Sequence, residues 1–310
     1  MPESESNNTA HSENPSQQEA HLLTPELLED EAIRADFMLR WAVVLLAVLL
    51  ACSAINTTRT LVHIKTGEYL AGHGMIPSGA DPFSYTTENR SWVNLSWLFD
   101  TLAAGAYGLM GPSGLTLGKA AAIGLAFYLI VHISLPGVSS WWNSICAGIA
   151  LVACFRQFTA TTEIMTLLGI ACLFWLLYRW KINGAYRYLW SVVGLLFLWG
   201  QLDNRMFIGL WILLLYGIGE YVGMLFERPG LETEAQRKTL WQVIGCSLVV
   251  VLIHPFGWQT LLAPWKLFVW EYPALRARFP NPTTWQTLQY HPLLSSAFWQ
   301  RMGRQKLLGC

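Results

Sequence analysis

Three side chains in this 310-residue chain are candidate proton acceptors: His63, Glu163 and Asp203. Each has cations or amides nearby in sequence. Lys65 follows His63, Arg156 and Gln157 precede Glu163, and Arg205 follows Asp203. An imidazole or carboxylate can take a proton from an attacking hydroxyl. Guanidinium and ammonium groups can neutralise an anion as it departs. The set suits group transfer with an anionic leaving group, provided that the chain brings these residues to one surface.

The elements that must position them follow from composition. Apolar residues make up 53% of the chain and charged residues 13%. A soluble domain carries about a quarter charged residues. The apolar residues are gathered in runs, so the expected fold is an all-α polytopic membrane protein with about seven transmembrane helices. The runs cover 37–55, 115–135, 140–155, 162–178, 186–202, 206–224 and 240–253. Several of the sixteen Trp stand at run ends, where amphipathic rings favour the membrane interface. The formal net charge is zero, which gives no reason to expect nucleic acid as a partner. The six Cys form no CxxC pair, and all but the terminal Cys310 read as small buried apolar side chains within the runs.

Residues 1–36 hold nine Asp and Glu against one Arg and read as an acidic cytoplasmic tail, disordered at first and ending in a short surface helix from Pro25. Residues 37–260 read as the transmembrane domain, and 261–310 as an interfacial, extracytoplasmic C-terminal segment. Arg179, Lys181 and Arg187 follow the fourth run, and Arg228, Arg237 and Lys238 follow the sixth. The positive-inside rule therefore puts both loops and the N-terminus in the cytoplasm, in a bacterial-type cytoplasmic membrane. The 56–111 loop, Arg156-Gln157, Asp203-Asn204-Arg205 and His254-Pro255 then share the opposite face.

The 56–111 loop is the one long polar segment between runs. It is expected to form two amphipathic helices, 60–71 and 97–110, with a small hairpin over 82–94 between them. Leu98, Leu102, Ala106 and Leu109 define the apolar side of the second helix, and Asp100, its only charge, reads as part of a solvated face. His63 has two readings, a base or a locally hydrogen-bonded side chain. Asp81 before Pro82 reads as a turn residue.

The run from His63 to Gly111 resembles the first extracytoplasmic loop of polytopic GT-C type glycosyltransferases, the relatives of protein mannosyltransferases and aminoarabinose transferases. The elements that carry the resemblance are His63-Ile64, Thr66-Gly67-Glu68, Gly72-His73-Gly74-Met75-Ile76-Pro77, Asp81-Pro82-Phe83-Ser84-Tyr85-Thr86, Trp92-Val93, Trp97-Leu98 and Tyr107-Gly108 with Gly111. Weaker echoes are Trp199 to Leu202 and His254-Pro255-Phe256-Gly257. The resemblance implies a helical membrane fold and an active site on the extracytoplasmic face. It also implies a lipid-linked sugar donor carried on a polyprenyl phosphate.

The chain departs from that pattern in three places. The family carries an acidic residue just after its first span, whereas here no carboxylate occurs from Asn56 to Lys65. Asp203-Asn204 replaces the usual His-Gly. No spanning run follows His254, so a partner subunit is expected to complete a short C-terminus. The resulting assignment gives His63, Glu163 and Asp203 catalytic roles and lets Lys65, Arg156, Gln157 and Arg205 hold substrate. It names no cofactor and no metal. Membrane lipids are the other expected partner. Two further readings are a non-catalytic relative that binds a lipid-linked sugar or an assembly partner, and a transporter. A transporter would carry internal repeats and paired broken helices.

Overall fold

A computed structural model describes residues 25–55, 57–74, 83, 93–134, 137–139, 141–226, 234–257, 259, 260 and 262. Among these there are no strands, and nine α-helices account for most of the chain. They are α1 (Pro25–Ala51), α2 (Thr58–His73), α3 (Trp97–Met110), α4 (Pro112–Val131), α5 (Trp141–Cys154), α6 (Glu163–Asn183), α7 (Tyr186–Leu202), α8 (Phe207–Leu225) and α9 (Glu234–Val251). Single 3-10 turns, Phe155–Gln157 and Asn204–Met206, precede α6 and α8. The expected hairpin over 82–94 and the segment after 262 lie outside the described residues.

Every run expected to span is helical. Three stretches among the described residues are both long and apolar enough to cross a membrane: Pro112–Val131, Glu163–Asn183 and Asn204–Gly223. The surface helix expected from Pro25 and the first run are one continuous helix of 27 residues. The helix ends follow local chemistry. Gly111 (φ 62°) closes α3 and Pro112 opens α4, because glycine takes the left-handed turn and proline needs no N–H donor at a helix start. Gly184 (φ 63°) ends α6, its N–H donating to the Trp180 carbonyl at 2.8 Å.

The chain divides into two compact units, residues 1–69 with 100–189 and residues 70–99 with 190–310. In the first, α4 packs against α1 and α6, and α5 lies on α1. The shared core is Val43, Val44, Ala47 and Ala51 of α1 against Ile123, Phe127 and Val131 of α4, with Ala147 and Leu151 of α5. Small residues set the spacing. A Cβ on Gly124 would stand 2.7 Å from a Val48 methyl, so glycine is required for α1 and α4 to approach this closely. At Gly118, by contrast, an added Cβ would meet nothing within 4 Å.

Lys119 is the one charged residue of α4. It is buried, and its Nζ donates to the Ser53 carbonyl at 2.7 Å and the Ser53 hydroxyl at 3.2 Å. It thereby fastens the segment just beyond the C-terminus of α1, where carbonyls lack helical partners. In the second unit, Gly209 of α8 meets Trp199 and Leu196 of α7, and Gly217 meets Ile244 of α9. Among the described cysteines, Cys52, just past α1, and Cys146 and Cys154 of α5 are exposed rather than buried.

Candidate functional site

In the first unit, α2 ties the loop to the 155–163 connection. The Thr60 hydroxyl is buried and donates to the Ala160 carbonyl at 3.0 Å, while Thr57 and Thr60 hydroxyls lie 2.8 Å apart. One residue earlier, the Arg59 guanidinium donates to Glu163 Oε1 at 3.3 Å. Arg59 is 63% exposed and Glu163 18% exposed, so this pair is partly solvated and contributes little to stability.

One turn along α2 from Arg59, His63 faces α3. Its Nδ1 stands 2.5 Å from Asp100 Oδ1. The Asp100 side chain is 3% exposed and His63 19%. The solvated face expected at Asp100 is therefore wrong. Phe99, Asp100 and Ala103 point inward, whereas Leu102 and Leu109 of the apolar side are exposed. Asp100 turns inward because it has a partner there, the His63 imidazole. Gly67 makes the approach possible. The α2 backbone there rests directly on the Asp100 carbonyl, and the missing side chain leaves α3 room one turn beyond His63.

A carboxylate that accepts from Nδ1–H fixes the imidazole tautomer and leaves Nε2 as the basic nitrogen. Without this contact His63 is a lone histidine. With it, the imidazole is oriented, and the positive charge it gains on taking a proton is stabilised. His63 thus has a carboxylate partner, contributed by α3.

The remaining expected residues divide as follows. Lys65 pairs with Glu68 at 2.6 Å on the exposed side of α2, and that carboxylate raises the lysine above its ordinary pKa. Arg156 and Gln157 are exposed on the 3-10 turn that leads toward Glu163. Asp203 and Arg205 belong to the second unit. Asp203 is extended between α7 and the following 3-10 turn, and it is 2% exposed. Its N–H donates to the Trp199 carbonyl at 2.8 Å.

The second unit joins three of the sequence segments that carried the resemblance. Trp97 Nε1 donates to Gln201 Oε1 at 2.8 Å, and Gln201 Nε2 donates to the Ile253 carbonyl at 2.9 Å. His254, next in the chain, is buried, and its Nδ1 accepts the Phe256 N–H at 3.2 Å. Burial pushes the His254 pKa down to about 4, against a smaller opposing pull from the Leu95 backbone. His254 is therefore neutral at physiological pH and serves as an acceptor in the turn that ends α9. Among the described residues no group of three His, Cys, Asp or Glu is placed to hold a metal ion.

Sequence reasoning passed over Asp100, Lys119 and the Trp97–Gln201 bond. A signal existed for the first two, since each is the sole charge of an otherwise apolar helix. Gln201 carried none. No family model, curated protein or solved structure matches the chain.

Proposed function

We propose that the protein is a membrane glycosyltransferase of GT-C type that uses His63, oriented by Asp100, as its general base. The observation that carries this reading is the 2.5 Å contact between His63 Nδ1 and a buried Asp100 carboxylate. It lies in the loop whose motifs resemble that family. In this reading about seven helices cross the membrane, the N-terminus is cytoplasmic and the 56–111 loop lies outside.

The proposed chemistry balances as follows. The acceptor hydroxyl gives its proton to His63 Nε2, and its oxygen forms a bond to the anomeric carbon. The bond from that carbon to the phosphate oxygen breaks, and polyprenyl phosphate leaves as the anion. Arg156, exposed on the turn before α6, is the cation assigned to that anion. Arg59 pairs with Glu163 at the start of α6. Glu163 is thus cast as a positioning residue, while Asp203 and Arg205, in the second unit, are candidates for a separate contact with a lipid-linked sugar.

The test is a panel of polyprenyl-phosphate sugars presented to the purified chain, with binding and polyprenyl phosphate release followed in parallel. Turnover that His63→Ala removes, with binding retained, supports the reading. Binding with no turnover in the wild type makes the protein a lipid-sugar binding relative. Absence of binding to every donor sinks the proposal.

A further inference from the structure

The turn between α6 and α7 carries a cationic group that the proposed chemistry does not use. From residue 164 to residue 202 the chain has no acidic residue, and its three cations, Arg179, Lys181 and Arg187, fall within nine positions. Gly184 reverses the chain between them. Trp175 and Tyr188 form an edge-to-face pair, with centroids 6.3 Å apart and planes at 89°. The Arg179 guanidinium carbon lies 5.6 Å from the Trp175 ring centroid and 5.7 Å from that of Tyr188. Arg187 lies 5.0 Å from the same Tyr188 ring, and its Nη2 donates to the phenol oxygen at 3.2 Å.

Two guanidinium groups therefore share one aromatic ring. Ring contacts engage the flat face of a guanidinium, and its N–H donors are arranged around the edge, the geometry that phosphate oxygens match. Both groups carry a positive charge, so an anion bound beside the ring lowers the energy of the arrangement. The height of the group in the fold indicates which anion. Arg179 and Lys181 stand in the last turns of Glu163–Asn183, a helix long and apolar enough to cross a membrane. Exposed Ile182 and Tyr186 flank them, apolar and amphipathic side chains suited to the membrane interface.

We propose that the α6–α7 turn is a binding site for an anionic phospholipid, with Arg179, Lys181 and Arg187 gripping the head-group phosphate. The proposal rests on α6 crossing the membrane and is independent of the transfer chemistry.

The experiment is native mass spectrometry of the full chain in a neutral detergent, titrated with phosphatidylglycerol, phosphatidylcholine or inorganic phosphate. The wild type should retain phosphatidylglycerol in preference to phosphatidylcholine. Arg179→Gln with Arg187→Gln should weaken that retention about thirtyfold, from about fivefold per basic residue near a membrane surface. Lys238→Gln, in the first turns of α9, should leave it unchanged. If the double variant loses helix content, the exposed Arg187→Gln alone is read instead and should weaken retention about fivefold. Undiminished retention in these variants overturns the site. Equal loss in Lys238→Gln reduces it to bulk charge and overturns it as well. Displacement of the lipid by millimolar inorganic phosphate shows a soluble-anion site and overturns the lipid assignment.

Discussion

Gly67 and Asp100 meet through their backbones: a Cβ placed on Gly67 would stand 2.0 Å from the Asp100 carbonyl oxygen and 2.6 Å from its carbon. The obstruction is main chain, so no rotamer change relieves it. Gly67→Ala should push α3 off α2 and destabilise the protein by about 2 kcal/mol or more, the scale of overpacking a tight contact. Thermal unfolding in detergent checks the stability. An unchanged melting temperature would mean that the two helices are not held at this spacing.

Asp100→Asn keeps the side-chain volume and removes the charge that holds the imidazole. Turnover should fall roughly a hundredfold, within the range of general acid–base effects, with KM little changed. A variant lacking both His63 and Asp100 should be no slower than His63→Ala alone, since the carboxylate acts through the imidazole. Additive losses would separate the two residues and remove the dyad.

Asp203→Asn and Arg156→Ala should each abolish binding or transfer of a lipid-linked sugar while membrane insertion stays normal. Insertion is read by carbonate extraction and binding by lipid-sugar retention. Full activity in both variants would remove these residues from the site.

His254 links stability to pH. Its folded pKa, about 4, lies below the value of about 6.5 for an unfolded histidine. Between these values the unfolded chain binds the extra proton, so stability falls as pH drops from 6.5 toward 4 and is fully present above 6.5. The loss across the window should approach about 3 kcal/mol. Protonation also converts the acceptor of the Phe256 N–H into a donor facing another donor. Melting temperature against pH should show this slope in the wild type, and His254→Asn should flatten it. A slope that survives the substitution would locate the titration elsewhere.

Orientation has its own test. In a background with the native cysteines replaced, Ser78→Cys should react with an impermeant maleimide from outside intact cells, and Asn183→Cys only after permeabilisation. The opposite pattern would invert the topology and with it the face assigned to the chemistry.

Much of the helical organisation was legible in the sequence. Runs of apolar side chains with Gly and Pro between them fix where helices start and stop, and Tyr186–Leu202 and Trp97–Met110 were bounded as observed. The facing of α3 was not legible. Its apolar side was read as that of an amphipathic helix and Asp100 as part of a solvated face. Leu102 and Leu109 point outward, as suits a helix lying on lipid, and Asp100 turns in toward a histidine 37 residues earlier. Spacing along one helix does not reveal a partner on another. Lys119 was obscure for a related reason: its acceptors, both on Ser53, lie on a different helix end 66 residues away.

α5, with fourteen residues, is about 21 Å long, against roughly 30 Å for a bilayer's hydrocarbon core. In the seven-span reading, lipid beside this helix cannot keep its full depth. The stacked Trp141 and Trp142 rings at one end and the exposed Arg156 just past the other draw the two head-group layers toward each other. The first unit would then carry a thinned flank, a dimple that recruits shorter acyl chains and lowers the outer water boundary toward Arg156.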